Sequence, residues 1–514
     1  MAGRDVEDDR LPALDRAGVF SIHEDVVAAK PLRDAVSLAA EEDACVGHAA
    51  TLAQRGRGVD SAVRPSSSII DQRDRRTIVF FPEGAFGPTN NCVGIGDVLR
   101  RRGHRVVFIV EESFAGTLSA QGFEERLMRL GPRPAEPERP GQFWKDFVAD
   151  TAPAFRSDTL AQIGGFVTPT WEALVDGARY VDGRLAEIIA ELAPDAIVED
   201  NVCAFPAIPA GGRPWVRIMS CNPLELRDPA LPPPYSGLPT DDSSDWERFA
   251  NEYADRVGSL QRDLSGFCVE RGAPPLPPGE MIHESPWLNL ALYPDELDYP
   301  RRRPLAPTWH NLQSSVRDTD EPWSPPARDG HALVYLSLGS LGSADVALMR
   351  ELIVILADTP HRYVVSRGPC HEEYGLAENM IGAEFLPQTS VLPHVDAVIT
   401  HGGNNTVTEC MWFGTPMVVL PIFWDQHDNA QRVHERGYGI RLATYDLTAA
   451  LLTDAVDHVL TDVTLRARAA AAGQRLRRAP GTVLGADLIE QVARTGEPVL
   501  NRAAARSTLA DTAG

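Results

Sequence analysis

Lysine is almost missing from this chain: Lys30 and Lys145 are the only two among 514 residues, and arginine carries the remaining positive charge. That bias fits GC-rich bacterial codon usage and says nothing about chemistry. Positive charge is scarce overall, with a net charge of -23. Such a chain repels nucleic acid and anionic membrane surfaces, which makes both poor general partners. The seven cysteines are scattered without a C-x-x-C pair, which argues against a zinc ribbon or a disulfide framework and suits a reducing cytosol. No apolar run is long enough to span a bilayer. The first residues, "MAGRDVEDDR", are too acidic for a secretory signal. A cytoplasmic location is therefore expected.

What is present is an ordinary globular balance, with 43% hydrophobic and 24% charged residues. The length accommodates two domains. Residues 1–75 show no core pattern and are expected to be a disordered or loosely attached extension. Order is expected from "TIVFF" at Thr77, followed by a Gly- and Asn-containing loop, a helix ending near Gly103, and the strand "RVVFIV". This β-loop-α-β unit opens an α/β domain predicted over 76–310, with further strands at "DAIVED" and "WVRIMS". The proline-dense stretch from Tyr299 to Gly330 reads as linker, its core being 311–330. A second strand-helix series follows over 331–480, with strands at "ALVYLS", "RYVVS", "GAEFL", "DAVIT" and "PMVVLP". A terminal helix over 481–497 is expected to cross back to the first domain, and 498–514 to fray. The fold class is α/β: two Rossmann-like domains facing a cleft, with ligands at the carboxyl ends of the strands.

The stretch "DAVITHGGNNTVTECMWFG" carries the most chemistry. It reads strand, turn, helix. Gly402 and Gly403 permit close approach of a ligand to the backbone. A helix starting near Asn404 aims free N–H groups and its positive dipole end at that turn, which makes an anion site best filled by phosphate. Asn405, Thr406 and Glu409 fall near one helical face. A carboxylate one turn into the helix would repel a phosphate placed on it. Glu409 therefore suits hydroxyl donors beside the phosphate, such as a ribose diol.

With "FLPQTSVLPHVD" upstream, "GTPMVVLPIFWDQHDNA" downstream and "SLGS" opening the same domain, the segment Phe385–Ala430 resembles the nucleotide-sugar signature of family 1 glycosyltransferases, which have the GT-B fold. A looser resemblance covers residues 77 to about 495 and leaves out the first 75. The resemblance implies roles residue by residue. Phe385 stands where family members often have a base-stacking tryptophan. Gln388 would contact the base or ribose, and Glu409 the ribose hydroxyls. His401, Gly403, Asn405 and Thr406 would surround the diphosphate, with Ser340 on its other side. Asp425 and Gln426 would bind the transferred sugar. The implied activity is inverting transfer from a UDP- or TDP-sugar to a small, largely apolar acceptor such as a polyketide, terpenoid or phenol. It implies no metal and no cofactor beyond the nucleotide sugar.

One part of the pattern is broken. Family members usually carry a base histidine in a G-H-x-x-P turn of the first loop. In "FGPTNNCVGIGDVLRRRGH" the histidine position is Pro88. The aspartate that normally orients that histidine is matched by Asp200. The candidates for the base are then Asp200 and Glu83. Alternatives are an acceptor that needs no deprotonation, a nucleotide-sugar epimerase or hydrolase, and a non-catalytic donor-binding partner subunit. Phe143, Trp144, Phe147, Phe166 and Trp171 are expected to shape an apolar acceptor pocket in the first domain.

Overall fold

The computed structural model describes residues 72–129, 131, 153–327 and 329–501. Two parallel sheets organise them. The first has seven strands: β1 (Thr77–Pro82), β2 (Arg105–Glu111), β3 (Glu124–Met128), β4 (Ala196–Asp200), β5 (Trp215–Met219), β6 (Leu288–Ala291) and β7 (Trp309–Asn311). Their spatial order is β3-β2-β1-β4-β5-β6-β7. Ile78 to Phe81, Val107 to Ile109 and Ala196 to Val198 are buried on both faces, which is why these strands read as continuous apolar runs.

The second sheet has six strands, β8 (Leu333–Ser337), β9 (Arg362–Ser366), β10 (Met380–Ala383), β11 (Ala397–Thr400), β12 (Met417–Val419) and β13 (Gly439–Arg441). Its order is β10-β9-β8-β11-β12-β13. In both sheets the order reverses beside the first strand, β1 or β8, and the carboxyl ends there open a crevice.

Several helices position the crevice. Helix α1 (Phe86–Arg101) follows β1, and α2 (Thr168–Leu192) and α3 (Trp246–Glu270) cover the first sheet. In the second domain α4 (Asn404–Phe413) follows β11, and α5 (Gln426–Glu435) follows β12. Gly414, at φ 74°, ends α4 in the left-handed conformation a side chain would resist. The final helix, α6 (Gly481–Thr495), packs on α1 and joins the core of the first domain through Ala486, Ile489 and Val492.

The structure departs from expectation at three places. The proline-dense stretch is linker only after Asn311, because Trp309–Asn311 pairs with β6 as an edge strand. The strand placed at "GAEFL" lies earlier, at Met380–Ala383, in register with Tyr363–Ser366. The tail is held beyond 498: the Val499 amide donates to the Trp287 carbonyl at 2.9 Å and that of Asn501 to Pro307 at 2.7 Å. Residues 1–71 of the expected extension and 502–514 of the tail lie outside the described residues.

Candidate active site between the two sheets

In the second domain, β11 runs out into His401-Gly402-Gly403 and α4 begins at Asn404, so the free amides of its first turn face the crevice. The glycines are required by shape. A Cβ on Gly403 would sit 2.5 Å from His401 Nε2, and one on Gly339, already at φ 69°, would sit 2.9 Å from the same ring. The imidazole is thus slotted between two glycines, and Ser340 follows directly on Gly339. Burial holds its pKa down at about 4, so His401 is a neutral imidazole at pH 7.

Glu409 is completely buried on α4. Its Oε2 accepts from Gln388 Nε2 at 2.6 Å, and its Oε1 accepts from Arg317 at 2.8 Å and from Asn405 at 3.3 Å. Gln388 Nε2 also donates to Thr406 Oγ1 at 3.2 Å, and Gln388 Oε1 accepts from Tyr335 at 3.3 Å. Burial raises the Glu409 pKa and Arg317 opposes that rise. Phe385 is 49% exposed, and its ring lies 6.0 Å from that of Phe86 in the first domain.

The facing wall comes from the first loop of the other sheet. Pro82 is in register with Asp200, and the Glu83 amide donates to the Asp200 carbonyl at 2.8 Å. The two candidate bases are therefore neighbours. Asp200 Oδ1 accepts from Ser220 Oγ at 2.8 Å, whereas Oδ2 is buried without a hydrogen-bond partner. Burial pushes the Asp200 pKa well up, the Ser220 hydroxyl opposes it, and Glu83 adds to it. Burial raises Glu83 to about 7, countered by a hydrogen bond from the Val202 backbone and reinforced by Asp425. Pro88 lies in the first turn of α1, and it has no proton acceptor to offer. Behind Glu83 lies a small cavity of about 20 Å³, lined by Phe81, Met128, Leu174, Gly177, Val202 and Phe205.

Asp425 and Gln426 are engaged by the protein itself. Asp425 Oδ2 accepts from the Asn222 amide of the first domain at 3.0 Å and from Asn429 at 3.3 Å. Gln426 Oε1 accepts from the amides of Ile422 at 3.0 Å and Phe423 at 3.3 Å. Trp424 before them sits at φ 57°, an unusual conformation for a non-glycine residue. Its ring packs 4.4 Å from Tyr235 and 5.1 Å from Trp171. Among the described residues no three His, Cys, Asp or Glu side chains gather as a metal ion would require.

Known proteins resemble this chain in sequence and in fold. Residues 325–470 match the family model for UDP-glucoronosyl and UDP-glucosyl transferases. Over 431 residues the chain is 27% identical to a demethyllactenocin mycarosyltransferase of Streptomyces fradiae, covering 80% of this chain and 86% of the relative. It is 26% identical to a 4'-demethylrebeccamycin synthase of Lentzea aerocolonigenes, over 79% of this chain and 96% of the relative. The solved glycosyltransferase of kitacinnamycin shares the fold at a TM-score of 0.59 and 22% identity, covering 81% of this chain and 98% of that one. The calicheamicin glycosyltransferase does so at 0.56 and 22%, covering 82% and 99%. Over most of its length the chain resembles the family 1 glycosyltransferases.

In this glycosyltransferase, sequence reasoning missed the residues that join the two walls. Asn404 Nδ2 donates to the Ser220 carbonyl at 2.5 Å, Asn222 Nδ2 donates to Asn429 at 2.9 Å, and Asp428 accepts from the amides of Tyr235 and Gly237 at 2.6 and 2.8 Å. Arg317 and Asp320 were read only as linker. No spacing rule marks them, because their partners lie far away in sequence. Phe166 and Trp171, expected to line an open acceptor pocket, are 3% and 1% exposed and pack at the domain junction, Phe166 lying 4.8 Å from Phe423. Phe143, Trp144 and Phe147 lie outside the described residues.

Proposed function

We propose that this glycosyltransferase moves a hexose, with inversion and without a metal ion, from a UDP- or TDP-sugar to a small, largely apolar natural product, working in the cytoplasm. The observation that carries this reading is the juxtaposition of two half-sites. The α4 N-terminus, the His401 slot and Glu409 stand on one wall, and Glu83 with Asp200 on the other.

In this reading the diphosphate rests on the first amides of α4, with Asn405, Thr406 and Ser340 beside it. The helix dipole and a neutral imidazole meet the charge that develops as the diphosphate leaves. Glu409 and Gln388 hold the ribose, and the exposed Phe385 ring offers a face to the base. Asp425 and Gln426 lie where the sugar would sit, so sugar hydroxyls would share them with the protein partners already present. Glu83, with its pKa near neutrality, takes the acceptor proton, with Asp200 beside it. The acceptor approaches Glu83 past Phe81, Val202 and Phe205, where the small cavity would have to widen to admit it. No helix among the described residues is long and apolar enough to cross a membrane. Relatives named for demethyllactenocin and 4'-demethylrebeccamycin support a natural product as acceptor.

The test is a thermal-shift panel with UDP, TDP, GDP and ADP in EDTA, followed by nucleotide release with and without a polyketide or phenol acceptor. Stabilisation by UDP or TDP and release only with acceptor support transfer. Release without acceptor points to hydrolysis, and no stabilisation by any nucleotide sinks the reading.

A further inference from the structure

A carboxylate with no exposure keeps its charge only beside a counter-ion. For Glu409 that counter-ion is Arg317, whose own side chain is 10% exposed. One edge of its guanidinium reaches Glu409 Oε1 at 2.8 Å. The remaining nitrogens grip Asp320, Nε at 2.7 Å and Nη2 at 2.8 Å. Asp320 is fixed in turn, accepting from the Thr389 amide at 3.1 Å and its hydroxyl at 2.9 Å. The chain leading to Arg317 is fastened to the first domain, since Ser315 Oγ donates to the Asn91 carbonyl of α1 at 2.8 Å. A linker arginine is thus held from three sides and aimed at one carboxylate.

We propose, on the reading that Glu409 receives the donor's ribose diol, that Arg317 is a positioning residue for nucleotide binding: it keeps Glu409 charged and oriented to accept from the diol. The two amides on Glu409, from Gln388 and Asn405, fix its direction but bring no charge. With Arg317 gone, the buried carboxyl takes up a proton and one of its oxygens becomes a donor, so a diol hydroxyl loses its acceptor. The defect then belongs to protonation and fades as pH rises. Lysine restores the charge without the two-edged grip.

The experiment is calorimetric titration of the full chain with UDP and TDP across a pH series, on the wild type and on Arg317→Ala, Arg317→Lys and Glu409→Ala. Melting curves without nucleotide check that each variant folds. Arg317→Ala is expected to weaken binding about tenfold near pH 7, as loss of a charged hydrogen-bond partner does. That gap narrows as pH rises and the carboxyl ionises again. Arg317→Lys recovers most of the affinity. Binding by Arg317→Ala equal to the wild type at every pH overturns the proposal. So does tighter binding, which would make Arg317 an occupant of the diol's place. Should Glu409→Ala bind as well as the wild type, or the wild type bind neither nucleotide, the donor-site reading itself fails and this proposal falls with it.

Discussion

The backbone amide of Glu83 lies 2.8 Å from the carbonyl oxygen of Asp200, so two acids distant in sequence leave adjacent strands at one point. Burial raises both pKa values, Glu83 to about 7 with Asp425 adding to the rise, and Asp200 well up with Glu83 adding to it. A base raised in this way is protonated below that pH and competent above it. Turnover should climb as pH passes through about 7 and level off beyond. Glu83→Gln should remove that limb and lower kcat/KM about 100-fold or more. Asp425→Asn, by withdrawing the acid that adds to the Glu83 rise, should shift the limb to lower pH. An unchanged limb in Glu83→Gln would reject Glu83 as the base.

Glu409→Ala removes the acceptor of three hydrogen bonds and leaves Arg317 paired with Asp320 alone. Donor KM should rise by tenfold or more, on the order of one charged hydrogen bond, with a smaller change in kcat. Initial rates at varied UDP- or TDP-sugar would check this. A lower kcat at unaltered KM would place Glu409 elsewhere in the mechanism.

The slot around His401 predicts an asymmetric pair of glycine variants. Gly403→Ala places a methyl 2.5 Å from His401 Nε2 and should displace the ring. Turnover should then fall by about tenfold or more through misplacement alone. Gly183→Ala, on the exposed side of α2 with open space around it, should leave turnover intact and add about 1 kcal/mol of stability. Denaturation curves and rates measured side by side distinguish the two.

Arg217 and Glu199 form a fully buried ion pair at 2.8 Å on neighbouring strands, and Arg217 also donates to the Asn201 carbonyl at 2.7 Å. Arg217→Ala should cost about 3–5 kcal/mol because it leaves a buried carboxylate uncompensated. Chemical denaturation reads this directly. A loss below about 1 kcal/mol would mean that Glu199 is already protonated in the folded protein, in keeping with a pKa raised to about 7 by burial.

What the sequence made legible was local. Thr77–Pro82, Ala397–Thr400 and the turn after it are apolar runs ended by glycine or a polar loop, and their periodicity survives folding unchanged. Glu409 and Asn405 share a helical face by spacing alone. The edge strands were invisible: Trp309–Asn311 and Gly439–Arg441 are three residues each, too short for a period to show. Arg317, Asn222 and Asp428 were invisible for another reason. Their importance comes from partners 92, 203 and 193 positions away, for Glu409, Asp425 and Tyr235 respectively, and nothing in a local window encodes such a pairing.

The terminal helix has a mechanical consequence. The chain passes between domains twice, once after Asn311 and once before Gly481, and at Gly481 the two passages touch: a Cβ there would collide with the carbonyl oxygens of Leu312 and Ser314. Two covalent crossings at one spot form a pivot. The halves can swing about it, but sliding past each other would tear one crossing against the other. Arg317 stands three residues beyond Ser314, so its bond to Glu409 is made close to where the two passages meet. The Asn222–Asp425 contact lies away from those crossings, so a swing of one half about the pivot would have to break it.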